Sequence, residues 1–304
     1  MATDTSLQET APVTTKQTRR LGRVRFVFSP IILVLVLLYL LIPLGATFAF
    51  SLSSGRTTNF NAYTDVFTDP DFYQSFSLSL ELSLAATILT IIIVTPTAYW
   101  VQTRLPVGRA FMDILTLLPF AVPAIVMALG LTETYGTPNM LIGILSFGLV
   151  PLLRDPPFNV YNSPPLLICA YVVVAFPFVY RPIDNSLRAI NTRVLTEAAQ
   201  SLGCGWWRTF FTIIIPNILS GVISAALLTF ATAMGEYTLA SLFYINSFPV
   251  YLAGVGPNAP YKAASLSIIS YLLTLFCILV MLLLVRLRSG RTKETASINL
   301  VAIK

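Results

Sequence analysis

The sequence predicts an all-α integral membrane protein, and three observations support this fold class. Hydrophobic residues make up 56% of the 304-residue chain and charged residues only 11%, which is too little charge to cover a soluble domain. The mean hydropathy is +0.78. Long apolar segments recur along the chain, near the ~20 residues that a helix needs to cross a bilayer. The composition therefore excludes a disordered chain, a coiled coil and a secreted disulfide-rich domain.

Six segments are long and apolar enough to span the membrane: residues 29–52, 75–101, 111–133, 165–186, 214–245 and 263–285. The first of them has no charged residue between Ile31 and Phe50. It is too long for the apolar part of a signal peptide and has no clear cleavage site. We therefore expect it to be retained as the first span.

Basic residues are distributed unevenly between the two sides of the membrane. If the N-terminal segment is cytoplasmic and the spans alternate, only Arg56, Arg154 and Lys262 lie outside. An excess of Lys and Arg marks cytoplasmic segments, so the net charge of +6 reflects topology rather than nucleic-acid binding. We predict six spans with both termini in the cytoplasm. The predicted divisions are an N-terminal tail (1–28), a transmembrane domain (29–286) with a cytoplasmic loop between the fourth and fifth spans (188–216), and a C-terminal tail (287–304).

One apolar stretch between the third and fourth spans is too short to be a comfortable span. Met140–Leu153 falls below the length that crosses a bilayer. We expect a short helix that lies on the outer surface or re-enters the membrane. The alternative is a seventh span, which would break the charge pattern.

Prolines occur within several predicted spans, at Pro43, Pro96, Pro119, Pro123, Pro177 and Pro216. Each removes a backbone hydrogen-bond donor and favours a kink. A bundle of bent helices would suit a gated pathway, although proline is also common in ordinary membrane helices.

The sequence lacks the groups that most enzymes need. Histidine is absent and no P-loop motif is present, which excludes a Ser-His-Asp triad and nucleotide binding through a P-loop. Cys169, Cys204 and Cys277 are far apart, so we predict no metal site, no catalytic residue and no cofactor in this chain. A gradient-driven transporter or channel, the alternative class, would need charged relays at mid-membrane, where this chain has almost none.

The cytoplasmic loop carries the most informative pattern. Val194, Leu195, Ala198, Ala199 and Leu202 follow helical spacing and form one apolar stripe. Asn191 is a candidate N-cap, and Gly203 stands where a helix ends in a left-handed residue. Trp206 and Trp207 favour the membrane interface. Physics alone allows either docking into a partner or packing within the protein.

The loop also contains a motif with a fixed spacing. Its matching residues are Glu197, Ala198, Ala199, Gly203, Ile213 and Pro216, with Ile215 where leucine is usual. In this motif E-A-A, three residues and G are followed by nine residues and I-x-L-P. The sequence thereby resembles the inner-membrane permeases of binding-protein-dependent ABC importers (type I importer fold), over roughly residues 75–285.

That resemblance implies a set of partners and a location. Two permease subunits would form the solute pathway in a bacterial inner membrane, and a cytoplasmic ATPase dimer, which binds ATP and Mg, would power it. An extracytoplasmic protein would deliver the solute. The first loop helix, about Thr192–Leu202, would couple to the ATPase, with Glu197 facing polar ATPase groups and Gly203 allowing the turn.

Several acidic residues lie within or beside the apolar spans. Glu236 lies in the outer part of the fifth span. We expect Glu236, Tyr237 and Phe230 to line the pathway or its outer gate, since charges within hydrocarbon usually face a cavity or partner. The alternative for Glu236 is a hydrogen bond between helices. We expect Glu81 and Glu133 to be interfacial.

Two further carboxylates lie near the inner ends of spans. Asp113 and Asp184 are expected to be structural. Arg181 precedes Asp184 by three residues, a spacing at which helical ion pairs form.

The solute is the least constrained feature. Carboxylates near the outer side favour a cation, and the arrangement of spans resembles spermidine/putrescine permeases most. Permeases for ferric iron, sulfate or molybdate, and aminoethylphosphonate are also similar.

Overall fold

A computed structural model gives the architecture of the chain. It describes residues 17–54, 57–105, 107–136 and 163–301, with Phe147 and Leu149, and side chains only within residues 32–283. Most of the short apolar stretch predicted at 140–153 lies outside the described residues. The described part is helical apart from a hairpin of two strands, β1 (Ser53–Ser54) and β2 (Thr57–Thr58). The predicted all-helical class is confirmed.

The helices are α1 (Gln17–Ser51), α2 (Asn61–Phe67), α3 (Pro70–Arg104), α4 (Gly108–Leu115), α5 (Leu118–Ala121), α6 (Ala124–Gly136), α7 (Pro164–Ala189), α8 (Thr192–Ser201), α9 (Trp206–Thr209), a π-helical turn (Phe210–Ile214), α10 (Ile215–Asn217), α11 (Leu219–Met234), α12 (Thr238–Leu242), α13 (Phe248–Val255) and α14 (Pro260–Val301). Helix α1 begins and α14 ends within the segments predicted as tails.

Four of these helices are long and apolar enough to cross a membrane without a break: α1 from Ile32, α3, α7 and α14 up to Leu283. Two bent pairs bring the number to six if each pair is one span. The chain bends by 95° between α5 and α6 and by 76° between α10 and α11. Pro123 and Pro216 lie at or near these bends, while Pro96 and Pro177 lie inside continuous helices.

Helices α3, α7 and α11 pack against one another at the centre of the molecule. Their contact is close because Gly221 of α11 faces α7, where a Cβ atom would lie 2.8 Å from the Pro182 carbonyl oxygen. Buried hydroxyl side chains of α3, such as Ser83 and Thr87, donate to carbonyls one turn earlier. Small and self-satisfied side chains thus allow three membrane helices to approach closely.

Helices α1 and α14 pack together on one side of the bundle. From Ile32 to Ile42, the side chains of α1 are exposed. In a membrane this apolar surface contacts lipid or another subunit, since exposed apolar patches of this size are rare in soluble monomers.

Candidate functional site

Helix α8 follows α7 through a tight turn at Asn191. The backbone of Asn191 is left-handed, with φ of 49°, and its side chain makes no capping hydrogen bond. The Thr192 hydroxyl instead donates to the Leu187 carbonyl. The predicted N-cap is therefore wrong: Asn191 serves the turn through its tolerance of left-handed backbone, and Thr192 anchors the start of α8 to α7.

One face of α8 packs against the bundle. Thr192, Thr196 and Ala199 are buried, and the Thr196 hydroxyl shares a hydrogen bond of 3.0 Å with the Tyr99 hydroxyl of α3. Tyr99 is itself fully buried. Because a buried hydrogen bond fixes both partners, α8 is held directly to α3.

Aromatic rings reinforce that attachment. The Tyr99 ring lies 5.1 Å from the Trp206 ring and 5.2 Å from the Phe210 ring, measured between centroids. Trp206 and Phe210 stack on each other at 5.6 Å. Tyr99 of α3 therefore contacts both α8, through Thr196, and the segment after it, through Trp206 and Phe210.

The opposite face of α8 is open. Val194 is 64% exposed and Leu202 86% exposed, and Ala198 between them is also exposed. We call these three residues the exposed ridge. The predicted apolar stripe is thus divided, because Ala199 is buried and Leu195 is partly buried against the bundle.

Glu197 lies beside the exposed ridge. Its carboxylate accepts from Arg193 at 2.8 Å, one turn earlier, and both side chains are exposed. Exposed pairs of this kind contribute little to stability, typically less than about 1 kcal/mol. Glu197 is therefore free to contact another protein at little cost.

Helix α8 ends at Gly203. Its φ is +83°, and the Cys204 amide donates to the Ala199 carbonyl at 3.0 Å. This is the hydrogen-bond pattern of a helix closed by a left-handed residue. The predicted left-handed helix end at Gly203 is confirmed.

The second part of the loop leads into α11. Ile213 is partly buried against the core, whereas Pro216 is exposed. Pro216 cannot donate a backbone hydrogen bond, and the π-helical turn before it and the 76° bend after it lie within a few residues. Ile213 and Pro216 thus mark where the loop turns into the fifth span.

A buried polar contact joins α3 and α7 close to α8. The Asp184 carboxylate accepts from the Gln102 amide at 2.7 Å and from Arg188 at 2.7 Å. The partner suggested by spacing, Arg181, is not the one observed; Arg188, one helical turn later, takes its place. Sequence reasoning missed Gln102 and Tyr99, because neither belongs to a motif and both act across helices.

At the other end of α11, Glu236 binds the backbone. Its carboxylate accepts from the Leu239 amide at 2.9 and 3.0 Å and from the Ala240 amide at 3.3 Å. The side chain is partly buried and lies beside the Tyr171 hydroxyl. Glu236 thus stabilises the start of α12, as carboxylates do at helix N-termini.

The other predicted pathway residues lie in different surroundings. Tyr237 is exposed, whereas Phe230 is fully buried among the helices of this subunit. Glu133 is exposed. Glu81 is also exposed and lies about three turns into α3, at 3.6 residues per turn. Glu81 is therefore not at a helix end, and its predicted interfacial placement stays a prediction, because α3 has 35 residues and is longer than a helix needs to be to cross a bilayer.

The sequence analysis did not predict a polar contact around Asp69, which we call the Asp69 clamp. Asp69 accepts from the Lys262 ammonium and the Tyr251 hydroxyl, each at 2.6 Å. The clamp joins the start of α3 to α13 and α14. These hydrogen bonds hold the pKa of Asp69 below its ordinary value of 3.8.

Comparison with known proteins places this geometry in a family. Residues 103–293 match the family described as binding-protein-dependent transport system inner membrane component. The chain is 32% identical to the molybdenum transport system permease protein ModB of Azotobacter vinelandii over 63% of this chain and 76% of that protein. It is 28% identical to the spermidine/putrescine transport system permease protein PotB of Haemophilus influenzae over 68% and 73%.

Another relative and a solved structure extend the likeness. The probable sulfate transport system permease protein cysT of Chlorella vulgaris is 30% identical over 67% of this chain and 69% of its own length. A bacterial ABC transporter for alginate, crystallised with an alginate pentasaccharide-bound periplasmic protein, has the same fold, with a TM-score of 0.62, 17% identity and coverage of 90% and 96%. The names of these relatives give different solutes. The comparisons therefore do not single out the polyamine permeases, which the sequence analysis took as the most similar group.

The family match covers more than half of the chain, and it includes the α8 loop and the bent α10–α11 segment. Membership in this family indicates a membrane component of an ABC importer. It does not favour an enzyme or a gradient-driven transporter, the alternative class. The chain belongs to the binding-protein-dependent transport system inner membrane components, the permease subunits of ABC importers.

Proposed function

We propose that this chain forms half of the solute pathway of an ATP-driven importer in a bacterial inner membrane. A second permease subunit supplies the other half, a cytoplasmic ATPase dimer binds ATP and Mg, and an extracytoplasmic protein delivers the solute. The observation that carries the proposal is the geometry of α8, with one face fixed to α3 and α7 and the other apolar and open.

The coupling role rests on this two-faced helix. The exposed ridge of Val194, Ala198 and Leu202 offers an apolar anchor of the kind that helix-in-groove contacts use. Thr192, Thr196 and Tyr99 pass any movement of α8 to α7 and α3 because their contacts are buried. Glu197, Ala199, Gly203, Ile213 and Pro216 shape the loop that presents the ridge.

Pull-down of the ATPase tests this role. The full-length chain is expressed with its ATPase, and we expect Glu197→Lys and Gly203→Pro to lose the ATPase. The matched control, Asp71→Lys, reverses an exposed charge at the far end of α3 and should retain it. If both loop variants keep the ATPase bound, the docking surface lies elsewhere.

The outer gate is proposed around Glu236 and Tyr237. Glu236 holds a carboxylate at the end of α11 opposite the coupling loop, and Tyr237 beside it is exposed. Phe230 lies about one turn inside α11 and is buried, so it would reach the pathway only when this end of the bundle opens.

For the solute we propose a polyamine or another small organic cation. Glu81 supports this choice, because an exposed carboxylate within a membrane helix faces a cavity or a partner rather than lipid. The names of the molybdenum and sulfate relatives favour an oxyanion as the second candidate, while ferric iron and aminoethylphosphonate are further alternatives.

The solute-binding protein that co-purifies with the assembled transporter gives a direct test. We expect spermidine or putrescine to raise its melting temperature, with molybdate and sulfate as comparison ligands. A shift with an oxyanion alone would overturn the cation proposal and leave the permease assignment intact.

A further inference from the structure

Two clefts lie near each other between the α4–α5 segment and α7. The first has a volume of about 350 Å³ and is lined only by apolar side chains, among them Leu115, Leu118 and Val122 of the bent segment and Val173 and Phe176 of α7. Leu118 and Val173 are each half exposed. This cleft is therefore open to whatever surrounds the bundle.

The second cleft lies nearer to α8 than the first. It has a volume of about 400 Å³, and its lining is charged or polar except for Leu117, and includes Asp113, Tyr180, Arg181 and Arg188. In α7 the lining residues follow those of the apolar cleft by about one to three turns. We call the two neighbouring clefts the groove. Its apolar part is lined by Leu115, Leu118 and Val173, and its charged part lies nearer to α8.

Two buried donors lack partners, one on Tyr180, which lines the charged cleft, and one on Arg109, which is not a lining residue but whose charge acts on the Tyr180 hydroxyl. The Tyr180 hydroxyl and the Arg109 Nε atom are buried and make no hydrogen bond to any described residue. Tyr180 is only 1% exposed. Leaving a buried donor unsatisfied costs about 1–3 kcal/mol, so such atoms point to a ligand that accepts hydrogen bonds.

The charges at this end are also incompletely matched. Asp184 and Arg188 neutralise each other at 2.7 Å. Arg181 and Asp113, which are exposed, form no ion pair with another described residue. A ligand with both a phosphate and an ammonium group would satisfy Arg181, Arg109 and Tyr180 with the first and Asp113 with the second.

We propose that this groove binds a phospholipid with a phosphate and an ammonium group, such as phosphatidylethanolamine, from the leaflet on the side of α8. The headgroup lies among Arg109, Tyr180, Arg181 and Asp113, and one acyl chain occupies the apolar cleft. Basic pockets between membrane helices bind lipid headgroups in this way. The proposal depends on the membrane location of the chain and not on its solute.

Photolabelling tests the site in the assembled complex. The full-length permease with its partner subunits is reconstituted in nanodiscs that contain phosphatidylethanolamine with a diazirine on one acyl chain. We expect the label on peptides that contain Leu115–Val122 or Val172–Phe176. Labelling should fall about fivefold in Arg181→Gln, the factor expected for one basic residue near a lipid headgroup.

Three further variants separate the parts of the site. Val173→Trp fills the apolar cleft without touching the charges and should also lower labelling. Asp113→Asn should remove the preference for phosphatidylethanolamine over phosphatidylglycerol as competitor. Arg208→Gln, an exposed arginine outside the groove, should label like the unaltered protein, and inorganic phosphate should not compete.

Several outcomes would overturn the proposal. Labelling that is unchanged in both Arg181→Gln and Val173→Trp would remove the groove as the site. Equal competition by phosphatidylglycerol in the unaltered protein would remove the ammonium contact. Crosslinks from a photoreactive residue at position 118 to the second permease subunit, without lipid labelling, would show that a protein covers the groove.

Discussion

The two ends of the bundle are built differently, although both contain charged side chains and short helices. Near the coupling loop, buried contacts fix α8 to α3 and α7 while apolar side chains remain uncovered on its outer face. At the opposite end, the Asp69 carboxylate accepts hydrogen bonds from Lys262 and Tyr251, and the Glu236 carboxylate accepts them from backbone amides. One end therefore leaves an apolar surface uncovered, and at the other end Asp69 and Glu236 find their hydrogen-bond partners within the chain.

In the proposed function, this difference gives the two ends different roles. A coupling element must be rigid towards the bundle and open towards its partner, and α8 meets both conditions. An outer end that closes on itself can reopen only by breaking a few identifiable hydrogen bonds. Four substitutions or conditions test this comparison, from the largest expected effect to the smallest.

Tyr99→Ala should have the largest effect, because it removes both the ring on which Trp206 and Phe210 pack and the hydrogen bond to Thr196. Truncation of a buried aromatic residue costs about 3–5 kcal/mol. Thermal unfolding of the detergent-purified chain measures this loss. Tyr99→Phe is the control and should cost only about 1 kcal/mol, the value of one hydrogen bond. Equal losses in the two variants would mean that the ring packing contributes nothing.

Leu202→Asp should strongly reduce transport and leave the fold intact. The side chain is almost fully exposed in this subunit, so its replacement costs the bundle little, whereas an anchor residue at an interface contributes about 2 kcal/mol or more. ATP-dependent uptake into proteoliposomes should fall by at least about tenfold at an unchanged melting temperature. Ser220→Asp, at an exposed position of α11, is the control. Normal uptake by Leu202→Asp would show that the exposed ridge does not dock.

Glu236→Gln should lower stability by about 1 kcal/mol, as the loss of a helix-capping group does. Glutamine keeps one acceptor oxygen, so the amides of Leu239 and Ala240 lose one of the two oxygens that accept from them. If Glu236 also lines the gate, uptake should fall more than the melting temperature explains, with the assembled complex intact. Unaltered uptake would leave Glu236 with the capping role alone.

The Asp69 clamp should make stability depend on pH at the acid end. The pKa of Asp69 is lower in the folded chain than its ordinary value of 3.8, so the folded state favours the ionised form. The stabilisation is present above about pH 4 and is lost as the pH falls through the lowered value. Melting temperatures between pH 7 and pH 3 should decline less steeply in Asp69→Asn. Identical slopes would contradict the clamp.

Sequence reasoning predicted the positions of the long helices and of the α8 loop. Segments 75–101, 165–186 and 263–285 correspond to α3, α7 and α14, and the helix expected at about Thr192–Leu202 is α8. These features can be predicted from the sequence because the length of an apolar segment, a glycine or a proline affects the structure of the segment in which it occurs. The predicted partner of Asp184 was wrong because helical spacing allows more than one arginine to reach it. The predicted capping role of Asn191 was wrong because the sequence does not show the backbone conformation at the turn.

The sequence by itself determined the membrane class, the positions of the principal helices and the position of the α8 loop, because each depends on composition or spacing within one segment. Only the tertiary structure decided which face of α8 stays open, which arginine neutralises Asp184, and where Glu81 and Glu236 point. Those features depend on side chains far apart in sequence, such as Tyr99 with Thr196 and Asp69 with Lys262. Their contacts exist only after α3, α7, α11 and α14 have packed.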